Sequence, residues 1–233
     1  MAKKLIYYRF EDESYKDEAF VEDAENNNKL YKIIILKPLT YDNCQMALKK
    51  LHANHTYGDK ENEGEGWLIK SYIKQHTRNT DIMDVAAKVA LIDVSNSTNL
   101  HLHKANANLV SISSKILSSN FDNRILQGDL SLVDDIAANG NISLFSFATK
   151  YCHYHNKEKY MKYDNIIGKI LPYYIEKYGI KTPENISCKR IRNYTIYSSI
   201  INELCKVAQI DQCDNKYELL DAFLWYSNKE KHN

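Results

Sequence analysis

The chain has 233 residues, 44% hydrophobic and 26% charged, with 31 basic against 30 acidic side chains and a net charge of +1. That is enough for one sizeable core or two small lobes, and it excludes a polycation that grips nucleic acid by bulk charge alone. Seven glycines and three prolines leave too little turn punctuation for an all-β chain of many short strands.

Five cysteines, odd in number and with no CxxC spacing, argue against a disulfide framework, a zinc knuckle and a four-cysteine iron–sulfur pattern. No apolar run approaches the ~20 residues of a membrane span, and the Met-Ala-Lys-Lys start is no signal peptide. The expectation is a cytoplasmic protein with no membrane contact.

Taken in order, residues 1–39 form an N-terminal segment in which 3–10 and 29–36 are short, apolar and rich in aromatic or β-branched side chains. They read as a small β element or as buried helix, which periodicity cannot separate at this length. From residue 40 to 233 the pattern is helical and forms a single domain. A helix is predicted over Tyr41 to Asn54, with Thr40 or Asp42 as its cap, and Gly58 to Gly66 reads as a loop. Further helices are predicted from Trp67 to Gln75 and from Thr80 or Asp81 through Ile92.

The polar run Ser95 to Lys104 then breaks the pattern, carrying His101 and His103 two residues apart. Asn106 to Asn120 and Asp129 to Ala138 are expected to be helical, with FDNRILQG as the spacer between them. Thr182-Pro183-Glu184 reads as a helix start, because proline at the first position loses no hydrogen bond that the helix would have made. The apolar positions Ile191, Tyr194, Tyr197, Ile201 and Leu204 follow it. Asp214 to Ser227 closes the fold.

The most informative stretch is 143–179, which opens SLFSFATKYCHYHNKEKYMKYDNIIGK. At 100° per residue, Leu144, Phe145, Ala148, Tyr151, Cys152 and His155 share one apolar stripe. Lys150 lies far from it, between Phe147 and Tyr154. A solvated lysine is the ordinary reading of such a position, but aromatic neighbours on both sides point instead to a cleft or a second packed layer. Asp164 is placed to cap the next helix, where a carboxylate is held ionised by N–H groups and the helix dipole. Gly179 is its stop. His153 and His155 would point about 200° apart on a helix, so they cannot share one ion and no metal site is expected.

A lysine inside one helix, a short basic link, and Tyr163-Asp164 opening the next helix resemble the catalytic segment of the helix-hairpin-helix DNA glycosylase superfamily. The resemblance implies a mainly α, two-lobed DNA-glycosylase-like architecture with a central cleft, a DNA partner, no cofactor and a monomeric chain. It also implies that Lys150 is the nucleophile attacking the sugar C1′ and that Asp164 stabilises the oxocarbenium-like transition state. That superfamily grips phosphate with a glycine-rich hairpin, which is lacking before this lysine. Ser146, Thr149, Lys157, Lys159 and Lys162 are therefore expected to take the DNA backbone, with Phe147, Tyr154, Tyr163 and Trp225 around a flipped base. The alternative reading is a non-catalytic helical module that binds nucleic acid or protein through the same basic, tyrosine-rich surface.

Overall fold

The computed structural model describes residues 5–12, 31–53, 65–98, 100, 108–139, 142–183 and 191–229. Strands β1 (Leu5–Phe10) and β2 (Tyr31–Leu36) pair in parallel, Leu5 with Tyr31 through Phe10 with Leu36. Parallel strands need a crossover instead of a tight hairpin, which fits their separation in the sequence. Of the two readings that the sequence left open for these runs, the strand is the one observed.

Ten helices follow among the described residues. They are α1 (Tyr41–Ala53), α2 (Glu65–Gln75), α3 (Ile82–Asn96), α4 (Leu109–Ser118), α5 (Phe121–Gln127) and α6 (Ser131–Ala137). After the two-residue antiparallel pair β3 (Ala138–Asn139) and β4 (Ile142–Ser143) come α7 (Phe145–His155), α8 (Asn165–Lys177), α9 (Tyr194–Val207) and α10 (Lys216–Lys229). The fold is mainly helical. None of these helices is long and apolar enough to cross a membrane.

Several helix ends are set by local chemistry. The Asp81 carboxylate accepts from the Met83 and Asp84 N–H groups, Asn108 accepts from Ser111, Asp164 from Ile167 and Asn193 from Ile196. Each satisfies N–H groups that have no partner inside the helix. Two expectations change. FDNRILQG is not a spacer but contains α5: Asn120 turns left-handed at φ 53, Gly128 stops the helix at φ 73, and Phe121 and Ile125, four residues apart, are buried together. The helical run expected from Pro183 is not continuous through Ile191: residues 191–193 are irregular, and α9 begins at the Asn193 cap. Most of the 58–66 loop, His101 and His103, and residues 184–190 lie outside the described residues.

Helix α7 is the centre of the packing. Phe145, Phe147, Ala148, Thr149, Lys150, Tyr151, Cys152 and His153 are all buried, so the helix has no solvated face over these turns. It packs on α2, α3 and α6, while α8 and α10 pack together and also meet β1 and β2 respectively. Helix α1 lies along α10. Phe10 meets the Tyr174 ring edge-on at 5.1 Å, and Tyr8 sits 4.8 Å from Tyr173, which fastens β1 to α8.

Gly168 on α8 lies directly against Tyr163. A β-carbon there would run into the Tyr163 hydroxyl and ring. The ring has little room to yield, being edge-on to Phe145 at 5.1 Å and to Tyr197 at 5.4 Å. Gly168→Ala gains ~1 kcal/mol of helix propensity but overpacks this contact, at a typical cost of about 1–3 kcal/mol. The variant is therefore expected to melt below the parent in a thermal scan, and a higher midpoint would contradict the contact.

Candidate functional site

The link between α7 and α8, residues 156–164, has little backbone pairing of its own and is held by side chains. Asn156 donates through Nδ2 to the Ile125 carbonyl at 2.9 Å. The Tyr160 carbonyl meets His153 Nδ1 at 2.7 Å, and the Tyr160 hydroxyl donates to the Asp129 carbonyl at 3.0 Å. The Tyr194 hydroxyl accepts from Met161 N at 2.8 Å and donates to the Met161 carbonyl at 3.2 Å. Tyr197 donates to the Lys162 carbonyl at 2.6 Å, Tyr163 N donates to Thr149 Oγ1 at 3.0 Å, and Ser146 donates to the Tyr163 carbonyl at 3.0 Å. A segment whose backbone groups are caught one by one in this way has a fixed path.

That path brings Lys150 and Asp164 into one neighbourhood. The Thr149–Tyr163 hydrogen bond joins the residue before Lys150 to the residue before Asp164. Lys150 is 8% exposed, and its Nζ donates to the Asn96 carbonyl at the end of α3, 3.2 Å away. Burial pushes its ammonium below the ordinary lysine range, with Lys162 acting in the same sense against the fields of Asp164, Asp221 and Asp93. Tyr154, one turn on, donates its hydroxyl to Asn96 Oδ1 at 3.3 Å.

Asp164 caps α8 as expected, accepting from Ile167 N at 2.8 Å. Its carboxyl is nevertheless raised above the ordinary carboxylate value, first by burial and then by Asp221, outweighing the Ile167 and Ile166 N–H groups and Lys150. The cap therefore does not hold this acid down, as the helix dipole alone would lead one to expect. Lys162 is tied to Asp221 of α10, Nζ to Oδ2, at 2.9 Å. Burial depresses Lys162, but Asp221, Tyr154 and Asp164 more than offset it, and the group stays above the usual lysine range.

The other residues singled out in the sequence are placed as follows. The Ser146 and Thr149 hydroxyls both donate to backbone carbonyls, of Tyr163 and Ser146 respectively. Lys157 and Lys159 are exposed on the turn after α7. Phe147 lies in the core, 5.7 Å from Tyr151, and Tyr163 is buried among Phe145 and Tyr197. Tyr154 and Trp225 are half-buried. Among the described residues, no group of three or more His, Cys, Asp or Glu is arranged to hold a metal ion. His153 serves the link, and both Asp134 oxygens accept from Tyr194 N.

Sequence reasoning missed Asp93, Asn96 and Asp221. It also missed a second buried network around Asn79. Lys88, with no exposed surface, donates to the Arg78 carbonyl at 2.6 Å and to Asn79 Oδ1 at 3.3 Å. Tyr151 donates to the same Asn79 oxygen at 2.6 Å, and Asn79 donates to Asp122 through N and Nδ2. The available signal was a lone charge inside an apolar run: Lys88 in VAAKVAL and Asp221 in LLDAFL. Such charges are rarely buried without partners.

Fold and site together define a helical protein built around a buried lysine of α7 and an aspartate that caps α8 at the far end of one pinned link. The chain belongs to the HI_0787_N family: residues 43–159, half of the sequence, match it, and the family is described as an N-terminal domain. A Haemophilus influenzae protein named "Uncharacterized protein" is 27% identical over 118 residues, covering 47% of this chain and 51% of that one. The matched stretch therefore spans about half the length of that relative. No solved structure matches the chain. The family region contains Asp93, Asn96, Lys150 and Tyr154 and stops before Lys162, Asp164 and Asp221.

Two predictions arise from this geometry. Tyr194→Phe strips the Met161 N–H and carbonyl of their partner, at a cost of about 1–3 kcal/mol, readable as a lower denaturant midpoint; an unchanged midpoint would show that the link is held otherwise. The second concerns the imidazoles. Burial, with Lys162 behind it, pushes His153 down to about 3, and burial pushes His155 down to about 4. Both stay neutral in the fold, whereas the unfolded chain takes up protons below about 6.5. Stability is therefore complete above that pH and declines as pH falls toward 4, by up to about 1.4 kcal/mol per pH unit for each histidine. Urea unfolding across this range checks it, and a flat profile would refute it.

Proposed function

We propose that the protein is a DNA glycosylase that removes a damaged or modified base through Lys150 and Asp164, with strand-nicking lyase chemistry as an accompanying activity. In this reading the helices α2–α6 and α8–α10 form the two lobes, with α7 between them. The observation that carries it is the buried Lys150 amine, depressed below the lysine range and joined through the pinned link to Asp164. An amine whose proton is held less tightly than an ordinary lysine's is more available as a nucleophile, and a carboxyl group fixed where water is scarce acts strongly on a developing positive charge.

The chemistry runs as a displacement. The neutral Lys150 amine attacks C1′, the glycosidic bond breaks with its electron pair leaving on the base, and the departing base takes up a proton. The new ammonium loses a proton, and the sugar ring opens as the C1′–O4′ bond breaks with its electron pair on O4′, which takes up a proton while the nitrogen lone pair forms the C1′=N bond of a Schiff base. Asp164 stabilises the positive charge at C1′ before attack is complete. Tyr154 and Trp225, both half-buried, are assigned to the flipped base, whereas Phe147 and Tyr163 are packed among core aromatics. Phosphate contacts fall to Lys157 and Lys159, because the Ser146 and Thr149 hydroxyls are engaged with backbone.

One contact favours the second reading, a binding module without catalysis. The Lys150 ammonium donates to the last carbonyl of α3, a place where lysine serves as a helix cap. Under that reading Lys150→Arg keeps nucleic-acid binding and no product forms.

Borohydride reduction in the presence of duplexes carrying a panel of damaged and modified bases separates the two. The glycosylase reading expects a covalent protein–DNA adduct that Lys150→Gln abolishes, and base release that Asp164→Asn slows by at least about 100-fold while DNA binding persists. Binding that falls steeply with salt, with neither adduct nor released base across the panel, would overturn it.

A further inference from the structure

Lys162 was expected among the phosphate contacts, but the geometry gives it a different part. Its Nζ is 2.9 Å from Asp221 Oδ2, with the Asp221 side chain 14% and the Lys162 side chain 27% exposed, so the pair is largely withdrawn from solvent. Its own carbonyl is held by the Tyr197 hydroxyl at 2.6 Å, and the next residue is held by Thr149, the neighbour of Lys150. The lysine is thus fixed at both its backbone and its tip, in the group that contains Lys150 and Asp164.

We infer that the Lys162–Asp221 ion pair is a positioning element for this site, holding a fixed positive charge against the Lys150 amine and so keeping that amine available as a nucleophile. The inference rests on the proposed role of Lys150 for its functional meaning, but not for its electrostatics. A cation anchored near a second amine disfavours protonation of the second, and an anchored ammonium does not drift away as a surface lysine does. Asp221 keeps Lys162 charged and partly offsets its field. The groups acting on the Lys150 amine come from every side: Asp93 from α3, Lys162 from the link, Asp164 at the start of α8 and Asp221 from α10. The hydroxyl of Tyr154, on α7 itself, bonds to the side chain of the same Asn96 that accepts from the amine. Lys162 is the only one of those four charges that is positive. His153 of α7 also feels Lys162 and is neutral.

The test reads the amine directly, without DNA. In the full chain labelled with ¹³C-lysine, the Lys150 Cε resonance is assigned by its disappearance in Lys150→Arg and titrated against pH. Lys162→Met is expected to raise the Lys150 titration midpoint by at least about half a pH unit, and Lys162→Arg to leave it near the parent value. Lys162→Met combined with Asp221→Asn should raise it less than Lys162→Met alone, because an anion is removed with the cation. It also guards against misfolding caused by an unpaired Asp221. An unmoved midpoint in both Lys162→Met backgrounds would overturn the inference. So would an equal shift in Lys162→Arg, which would assign the effect to packing instead of charge. Since no DNA is present, failure to trap an adduct and failure of this titration are separate results.

Discussion

The structure depends on side-chain hydroxyls holding the backbone between α7 and α8. Neither strand nor helix pairing covers most of this link, yet it runs between buried helices, where unpaired N–H and C=O groups are costly. Tyr194, Tyr197, Thr149 and Ser146 supply the partners, and the hydroxyl of Tyr160, within the link, anchors it to the Asp129 carbonyl. The same device recurs after β2, where the Tyr174 hydroxyl donates to the Lys37 carbonyl and the Tyr178 hydroxyl accepts from Leu39 N. Five of the 18 tyrosines are used in this way, a role that phenylalanine, of which the chain has 6, has no hydroxyl to fill. Each ring fills core volume while its hydroxyl closes a backbone bond.

Charge is buried in the same spirit, with each buried cation given a definite acceptor. Lys88 ends on Asn79 and Arg78, Lys150 on Asn96, and Lys162 on Asp221. Removing one member of such a set leaves a desolvated group behind, which costs more than the contact contributed. The site straddles the family boundary. The matched region brings the amine and its α3 acceptor, whereas the carboxylate and the ion pair that surround them come from the stretch beyond it.

Much of the helical organisation was legible because it is local. Asp164 as a cap, Asp81 as a start and Gly179 as a stop depend on residues within one turn, and the structure has them so, with Gly179 at φ 60. Helix α5 was not legible, since its seven residues are too short for a clear period and its left-handed start is built on Asn120 instead of glycine. The burial of Lys150 was half legible: the flanking aromatics pointed to a covered face, but nothing in the sequence named Asn96 as the acceptor. Asp221 was out of reach for the same reason. A partner dozens of residues away is fixed by tertiary packing, and only the oddity of one acid in an apolar run marks it.

The hydroxyls and amides that fix the link carry no charge, and burial lifts the Tyr160, Tyr194 and Tyr197 hydroxyls far above their usual acidity range. The one imidazole among the fasteners, His153, is neutral until strongly acid conditions. The spacing of the amine and the carboxylate is therefore set by a scaffold that does not respond to pH anywhere near neutrality.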